Sequence, residues 1–296
     1  MPDLILSATA PEAGFSIVAG ITTNLVSEMQ TRHALSPTAT AATGRLITAA
    51  ALLATSLKGS ERVGLQIAGD GPLRRIVAEA WLLDDGVVGA RGYANVPHAD
   101  VPLNDKGKFD VARALGAGSL QVTKSYEVGQ PYAGVVPLSS GEVAEDIASY
   151  LMNSEQIPSV VALGVLANPK GVLAAGGIIA QVLPGADERA VALLEERALA
   201  MPPVTQLVAD GASAAALMRA LAGASVLRAE RSTPVRFACR CTREKVEAAF
   251  IALGVDELHK MASEREETAA TCDFCKKVYT FTGDEVTGLA IRLEKA

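Results

Sequence analysis

The residues best suited to chemistry in this chain are its four cysteines. They form a Cys-x-Cys pair, Cys239 and Cys241, and a Cys-x-x-Cys pair, Cys272 and Cys275. Two close pairs separated by helix-forming sequence are typical of a zinc site, because four thiolates at about 2.3 Å complete a tetrahedral shell around Zn²⁺. Two short-range disulfides and four inert buried thiols are the alternatives. We therefore expect these cysteines to bind one zinc ion per chain.

Two other functions use similar cysteine patterns. In a thiol-disulfide oxidoreductase the reactive thiol of Cys-x-x-Cys lies at a helix N-terminus, but the sequence after Cys275 is strand-like. A zinc ribbon that binds nucleic acid needs a basic face. Residues 235–296 carry ten Lys and Arg against eleven Asp and Glu, so no such face is predicted.

Cations are close to the cysteines in sequence, at Arg236, Arg240, Arg243, Lys276 and Lys277. Zn²⁺ with four thiolates has a net negative charge, which neighbouring cations would offset while keeping the sulfurs ionised and reactive. The simpler interpretation is solvated surface charge. The two interpretations are compatible.

Motifs of common enzyme classes are missing from the sequence. It has no Gly-x-Ser-x-Gly elbow, no His-Glu-x-x-His and no Walker loop. The three histidines, His33, His98 and His259, lie far apart. We expect His259, between the cysteine pairs, to be a surface helix residue, and we expect a protein that is not an enzyme and binds no nucleotide.

Composition further limits the function classes. A net charge of −6, a pI near 5.3 and 4% aromatic residues argue against a general nucleic-acid or anionic-membrane binder. The first basic residue is Arg32 and apolar runs such as 47–57 are too short to span a bilayer. We therefore expect a cytoplasmic protein, in which cysteines stay reduced and favour metal binding over structural disulfides.

The predicted fold class is α+β, because runs of strands have helices between and after them. Residues 63–93 predict an antiparallel meander with turns at Gly69-Asp70-Gly71 and Asp84-Asp85-Gly86. Helices are predicted over 22–34 and after Pro37. Further strands are predicted at 15–21, 119–124, 132–138, 160–166 and 172–183.

Local signals add detail to this outline. Residues 139–142 and 282–285 both have the spacing of a helix capping box, in which Ser or Thr is followed by Glu at the third position. Gly176 and Gly177 interrupt a strand and predict a bulge or a close backbone approach. Charged helix formers begin at Asp187, where either an ordinary surface helix or a detachable amphipathic linker fits the pattern.

Several short motifs follow one another along the chain: Gly69-Asp70-Gly71-Pro72, residues 131–138, residues 154–159, and Gly176-Gly177 running to Pro184-Gly185. They end with Phe237-x-Cys-x-Cys and Cys272-x-Phe-Cys275-x-x-x-Tyr279-x-Phe281. In these motifs the sequence resembles the 33 kDa chaperonin family of redox-regulated heat-shock holdases over nearly its whole length, with Lys276 in place of an expected small or polar residue. The resemblance implies an N-terminal mixed sheet-and-helix domain at 1–186, a helical linker at 187–234 and a small C-terminal zinc-binding domain at 235–296.

The resemblance implies a redox-regulated, ATP-independent holdase that binds unfolding client proteins. In the reduced form Cys239, Cys241, Cys272 and Cys275 would hold zinc and the protein would be inactive. Oxidation would form the disulfides Cys239-Cys241 and Cys272-Cys275, release zinc, unfold the C-terminal region and loosen the linker. A homodimer of the oxidised chain is a further expectation.

Overall fold

The computed structural model describes residues 2–126 and 128–294, which form compact units on either side of the Ala238-Cys239 bond. The α+β prediction is confirmed. The strands are β1 (Leu4–Ala10), β2 (Phe15–Ile21), β3 (Arg62–Gly69), β4 (Arg75–Leu82), β5 (Val88–Ala94), β6 (Gly118–Ser125), β7 (Tyr132–Pro137), β8 (Ser159–Asn168), β9 (Gly171–Val182), β10 (Arg228–Phe237), β11 (Glu267–Thr271) and β12 (Val278–Thr282). The α-helices are α1 (Thr23–His33), α2 (Pro37–Leu53), α3 (Val111–Leu115), α4 (Val143–Glu155), α5 (Glu188–Ala200), α6 (Val204–Ala209), α7 (Ala214–Ala222), α8 (Arg243–Ile251), α9 (Val255–Glu264) and α10 (Gly283–Glu294).

The larger unit is built on a ten-stranded sheet in the order β7-β6-β3-β4-β5-β10-β1-β2-β9-β8. Strands β5 and β10 are parallel, and the other neighbouring pairs are antiparallel. The predicted meander is confirmed as β3, β4 and β5. Its second turn places Gly86 at φ 77°, a left-handed conformation that glycine adopts without steric cost.

Helices cover both faces of the sheet half that contains β1, β2, β9 and β8. Because successive strand residues point to opposite faces, Ile179 packs in the core that includes α1, α2 and α4, whereas Ile178 packs in a second core with α5, α6 and α7. The second core also contains Phe15 and Ile17 of β2. Helices α5–α7 therefore form a layer that covers an apolar surface of the sheet.

The two adjacent glycines of β9, Gly176 and Gly177, were predicted to mark either a bulge or a close approach of the backbone to its neighbours. A Cβ atom on Gly176 would lie 2.7 Å from the carbonyl oxygen of Gly20, and one on Gly177 would lie 2.6 Å from a methyl carbon of Leu163. The irregularity in the β8-β9 register occurs elsewhere, between Leu166 and Ala167. Close approach, and not a bulge, therefore explains the double glycine.

One predicted capping box is confirmed and the other is wrong. At α10 the amide of Thr282 donates to Glu285 Oε2 (2.8 Å) and the amide of Glu285 donates to Thr282 Oγ1 (3.2 Å). At α4 the N-cap residue is Glu142, three residues later than predicted, and its carboxylate accepts from Arg45 (2.6 Å). Ser139 instead donates through its amide and hydroxyl to the buried Asp146 in the first turn, which replaces the predicted bond.

The smaller unit consists of the β11-β12 hairpin and helices α8, α9 and α10. Its buried core is small and consists of Phe250, Leu258, Tyr279, Phe281, Val286, Leu289 and Ala290. Residues 228–237 form β10 of the larger sheet. The predicted boundary between the linker and the C-terminal domain, at 234 and 235, falls within this strand. Among the helices of the described residues, none is both long and apolar enough to cross a membrane.

Candidate metal centre

The Cys-x-x-Cys pair lies in the tight connection between β11 and β12. The amide of Cys272 donates to the carbonyl of Lys277 (2.9 Å), and the amide of Lys276 donates to the carbonyl of Cys272 (2.9 Å). This turn places Lys276 at φ 60°, in the left-handed region that favours glycine or asparagine. The backbone conformation thus explains why a small or polar residue was expected at this position.

The Cys-x-Cys pair lies between the end of β10 and the start of α8. Thr242, directly after Cys241, is the N-cap residue of α8, and its hydroxyl accepts a hydrogen bond from the amide of Lys245 (3.3 Å). The ammonium of Lys245 also donates to the carbonyl of Arg240 (2.6 Å). These bonds fix the segment between the two cysteines to the first turn of the helix.

The fold brings the four predicted sulfur atoms together, all within 4.8 Å of one another. The sulfurs of Cys239 and Cys272 are 3.8 Å apart and those of Cys241 and Cys275 are 3.3 Å apart. A tetrahedron with metal-sulfur bonds of about 2.3 Å has edges of about 3.8 Å. The four cysteines are therefore positioned to bind a metal ion, with a geometry compatible with zinc.

The environment of the sulfurs opposes ionisation without a metal. Burial raises the pKa of the Cys275 thiol to about 12, and burial also raises the pKa of Cys272. A neighbouring thiolate adds to the effect at Cys272 through charge repulsion from Cys239. Four clustered thiolates require a cation among them, because desolvation and like charge both favour the protonated thiol.

Tyr279 contacts one of the sulfur atoms, a contact that the sequence did not predict. Its hydroxyl donates to Cys241 Sγ at 3.2 Å, and this hydrogen bond raises the pKa of the tyrosine. The ring belongs to the small core, packed near Phe281 on the same face of β12. The period-two alternation of Tyr279 and Phe281 could have indicated a shared buried face, but not the sulfur contact.

The cations near the cysteines have several different partners. Arg236 pairs with Asp85 (3.0 Å), and Arg243 pairs with Glu285 (2.7 Å) and lies over the Phe281 ring. The Lys277 ammonium lies 4.8 Å from the centre of the Tyr279 ring. The hypothesis that these cations offset thiolate charge stays a prediction.

His259 is an exposed residue of α9, as predicted, and its Nε2 lies 3.1 Å from Glu294 Oε1. His33 belongs to α1 in the larger unit, stacked beside Tyr93. Within the described ranges, the cluster that could hold a metal ion contains the four cysteines and no histidine. The Cys-x-x-Cys pair also lies in a hairpin turn and not at a helix N-terminus, which disfavours the oxidoreductase alternative.

Comparisons with known proteins agree on one family. A family model described as "Hsp33 protein" matches residues 3–282. The 33 kDa chaperonin of Acetivibrio thermocellus is 41% identical over 296 residues, covering 99% of each chain. That of Acaryochloris marina is 43% identical over 290 residues, covering 97% of this chain and 96% of the relative. The crystal structure of the 33 kDa chaperonin (heat shock protein 33 homolog) from Thermotoga maritima has a TM-score of 0.90, with 33% identity and 100% coverage of both chains.

Proposed function

Because the chain belongs to the 33 kDa chaperonin family, a family of chaperones, we propose that it is a redox-regulated holdase that works without ATP. The observation that carries this proposal is the four-sulfur cluster on a unit with a small core. In the reduced state Cys239, Cys241, Cys272 and Cys275 hold one zinc ion and the chaperone is inactive. The expected setting is the cytoplasm, where thiols are kept reduced.

Energetic magnitudes support a switch at this site. Bound zinc supplies folding free energy, about 10–16 kcal/mol in zinc-finger peptides. Whole domains are stable by only about 5–15 kcal/mol. The small unit buries few large side chains around Phe250 and Phe281. We therefore expect residues 239–294 to stay folded only while the thiolates hold the ion.

Oxidation removes the ligands by pairing Cys239 with Cys241 and Cys272 with Cys275. A disulfide brings two sulfurs to about 2.05 Å, so each bond requires the cluster to rearrange. The sulfur pairs at 3.8 and 3.3 Å run between the two segments, and the proposed disulfides run within them. A cysteine that enters a disulfide is no longer a thiolate ligand, so oxidation of either pair would leave the ion with an incomplete shell, which supports coupled release of the ion and unfolding.

The client surface is proposed to lie beneath the helices that follow residue 187. Helices α5–α7 cover Phe15, Ile17 and Ile178 with their own buried side chains Leu194 and Leu217. When this layer loosens, both sides of the second core become accessible to apolar segments of unfolding proteins. In this proposal residues 1–186 form the core domain, 187–234 the linker and 235–296 the redox switch, although β10 holds the end of the linker in the sheet.

The test combines metal content, release and chaperone activity. Reduced protein should contain about one zinc per chain, and peroxide with mild heat should release it and allow the protein to suppress aggregation of an unfolding client. A protein without zinc, or with iron, would contradict the metal assignment. Release without suppression would leave a zinc module but remove the chaperone function. Size measurement of the oxidised form tests the expected homodimer.

A further inference from the structure

The contact between Tyr279 and Cys241 has a fixed geometry. Strand β12 alternates exposed and buried residues, and the 6% exposed Tyr279 ring is packed in the small core. Its hydroxyl lies 3.2 Å from Cys241 Sγ. A tyrosine with a packed ring has little freedom to turn its hydroxyl elsewhere, so the bond is pre-organised.

The direction of this hydrogen bond determines its chemical effect. A metal-bound thiolate has no proton, so the phenol hydroxyl must donate and the sulfur must accept. The bond draws electron density from the sulfur lone pairs, and a charge-assisted hydrogen bond is stronger than a neutral one. The Lys277 ammonium 4.8 Å from the ring centre polarises the phenol further and makes it a better donor.

We propose that Tyr279 is a positioning residue that slows the reaction of Cys241 with peroxides and so sets the oxidant level at which the chain switches. The inference rests on the proposed function. The phenol hydroxyl contacts Cys241 Sγ, whereas Cys272 and Cys275 accept from backbone amides, so removing the phenol oxygen takes a donor from Cys241 and leaves those backbone bonds in place. The hydrogen bond is strongest with the thiolate and is lost progressively as the sulfur transfers its electron pair to oxygen.

The reaction consists of two balanced steps. The Cys241 thiolate attacks one oxygen of the peroxide; a sulfur-oxygen bond forms, the oxygen-oxygen bond breaks, and hydroxide or alkoxide leaves. A second cysteine thiolate then attacks the Cys241 sulfur, forming the disulfide and expelling hydroxide. Two thiolates lose two electrons in total and the peroxide gains them. Tyr279 acts on the first step, in which Cys241 is the nucleophile.

The test uses the full-length, zinc-loaded chain with Tyr279→Phe, which removes one oxygen and keeps the ring. Hydrogen peroxide is added, the remaining thiols are trapped, and mass spectrometry measures the oxidation rate of each cysteine. We expect Cys241 to react about tenfold faster than in the parent chain. Zinc release, followed by a colorimetric chelator, should accelerate with it, and the other three cysteines should keep their relative rates in the first events.

Two matched variants separate this role from loosening of the small unit. Tyr132→Phe removes the same oxygen from a 46% exposed tyrosine of the larger unit and should change no cysteine rate. Val286→Ala weakens the small core and removes no hydrogen-bond donor to a sulfur, so it should accelerate all four cysteines together. If Tyr279→Phe behaves like Val286→Ala, or like Tyr132→Phe, the inference is wrong.

A further variant tests the inference even if Tyr279→Phe does not fold. Incorporating 3-fluorotyrosine at position 279 keeps the hydroxyl and acidifies it, which should slow the Cys241 reaction; an unchanged or faster rate would contradict the inference. Wild-type protein that loses no zinc in peroxide would instead reject the proposed function. The two failures are therefore distinguishable.

Discussion

At the residue scale, the backbone of the Cys-x-x-Cys turn is as informative as its sulfur atoms. Lys276 holds a left-handed conformation directly after Cys275, and its amide donates to the carbonyl of Cys272. An L-residue pays about 1–2 kcal/mol in this region, whereas glycine adopts it freely. The chain therefore carries local strain directly after Cys275, which in the proposed function would favour release of the ion.

Replacing Lys276 by glycine should strengthen metal retention. We expect zinc transfer from the reduced Lys276→Gly chain to a competing chelator to slow by about threefold to tenfold, since the strain is relieved while the turn is kept. Lys276→Ala is the control for charge, because it removes the ammonium and keeps the strained conformation. Equal slowing in both variants would show that charge, and not backbone conformation, controls retention.

At the element scale, helices α5–α7 act as a cover for the sheet and not as an isolated linker. Leu194 is 2% exposed and packs in the second core, whereas Leu199 on the same helix is 89% exposed. Sequence periodicity could not distinguish a surface helix from a detachable one. The packing shows that α5 has a buried stripe as well as a charged outer side.

Weakening this cover should activate the reduced protein in part. Leu194→Ala removes buried methyl groups at a cost of about 2–5 kcal/mol, so α5 should detach more often and expose apolar surface. We expect increased binding of a hydrophobic dye and measurable suppression of client aggregation under reducing conditions. Leu199→Ala makes the same chemical change at an exposed site and should have neither effect. Identical behaviour of the two variants would exclude α5 as part of the cover.

Elements with strong local signals were predictable and those defined by distant partners were not. The Thr282-Glu285 box is reciprocal within one turn, so spacing alone revealed it. Helix α1, by contrast, is capped by the carboxylate of Asp3, directly before β1, which accepts from the amides of Asn24 and Leu25. Such a cap depends on the tertiary fold. The four cysteines could be predicted as a site because metal ligands occur in close pairs along a sequence. The hydrogen bond from the Tyr279 hydroxyl to Cys241 could not, because it follows no such spacing.

Strand β10 was missed for a similar reason. Its sequence is rich in charged residues and contains Pro234, and both features disfavour a central strand. Most of its side chains are exposed in the structure. Pairing with β1 on one side and a short parallel contact with β5 on the other impose the extended conformation. Strand propensity depends strongly on such context.

At the scale of the whole molecule, the chain combines a unit with a large core and a unit with a small one. The large core includes buried side chains from β3–β6 and from α1, α2 and α4, whereas the small core is limited to the hairpin and three short helices. The two units should therefore differ in their dependence on metal. Only the smaller unit holds the described sulfur cluster.

Metal removal should reveal this difference directly. Stripping zinc from the reduced chain with a strong chelator should abolish hydrogen-exchange protection across α8–α10 and the β11-β12 hairpin. Amides of β3, β4 and β6 should stay protected, because their packing contains no metal ligand. Adding zinc back under reducing conditions should restore the protection. Retained protection in the small unit after complete metal removal would contradict a metal-dependent fold.

The position of strand β10 in the sheet also affects how the protein folds while it is being synthesised. It occupies the middle of the ten-stranded sheet but is the last of those strands in the chain, so that Leu4 pairs with Pro234. During synthesis the edges of β5 and β1 that β10 will join stay open until residue 237 has left the ribosome. Open strand edges invite association with other chains. The nascent protein thus passes through the same vulnerable condition as the clients that we propose it protects.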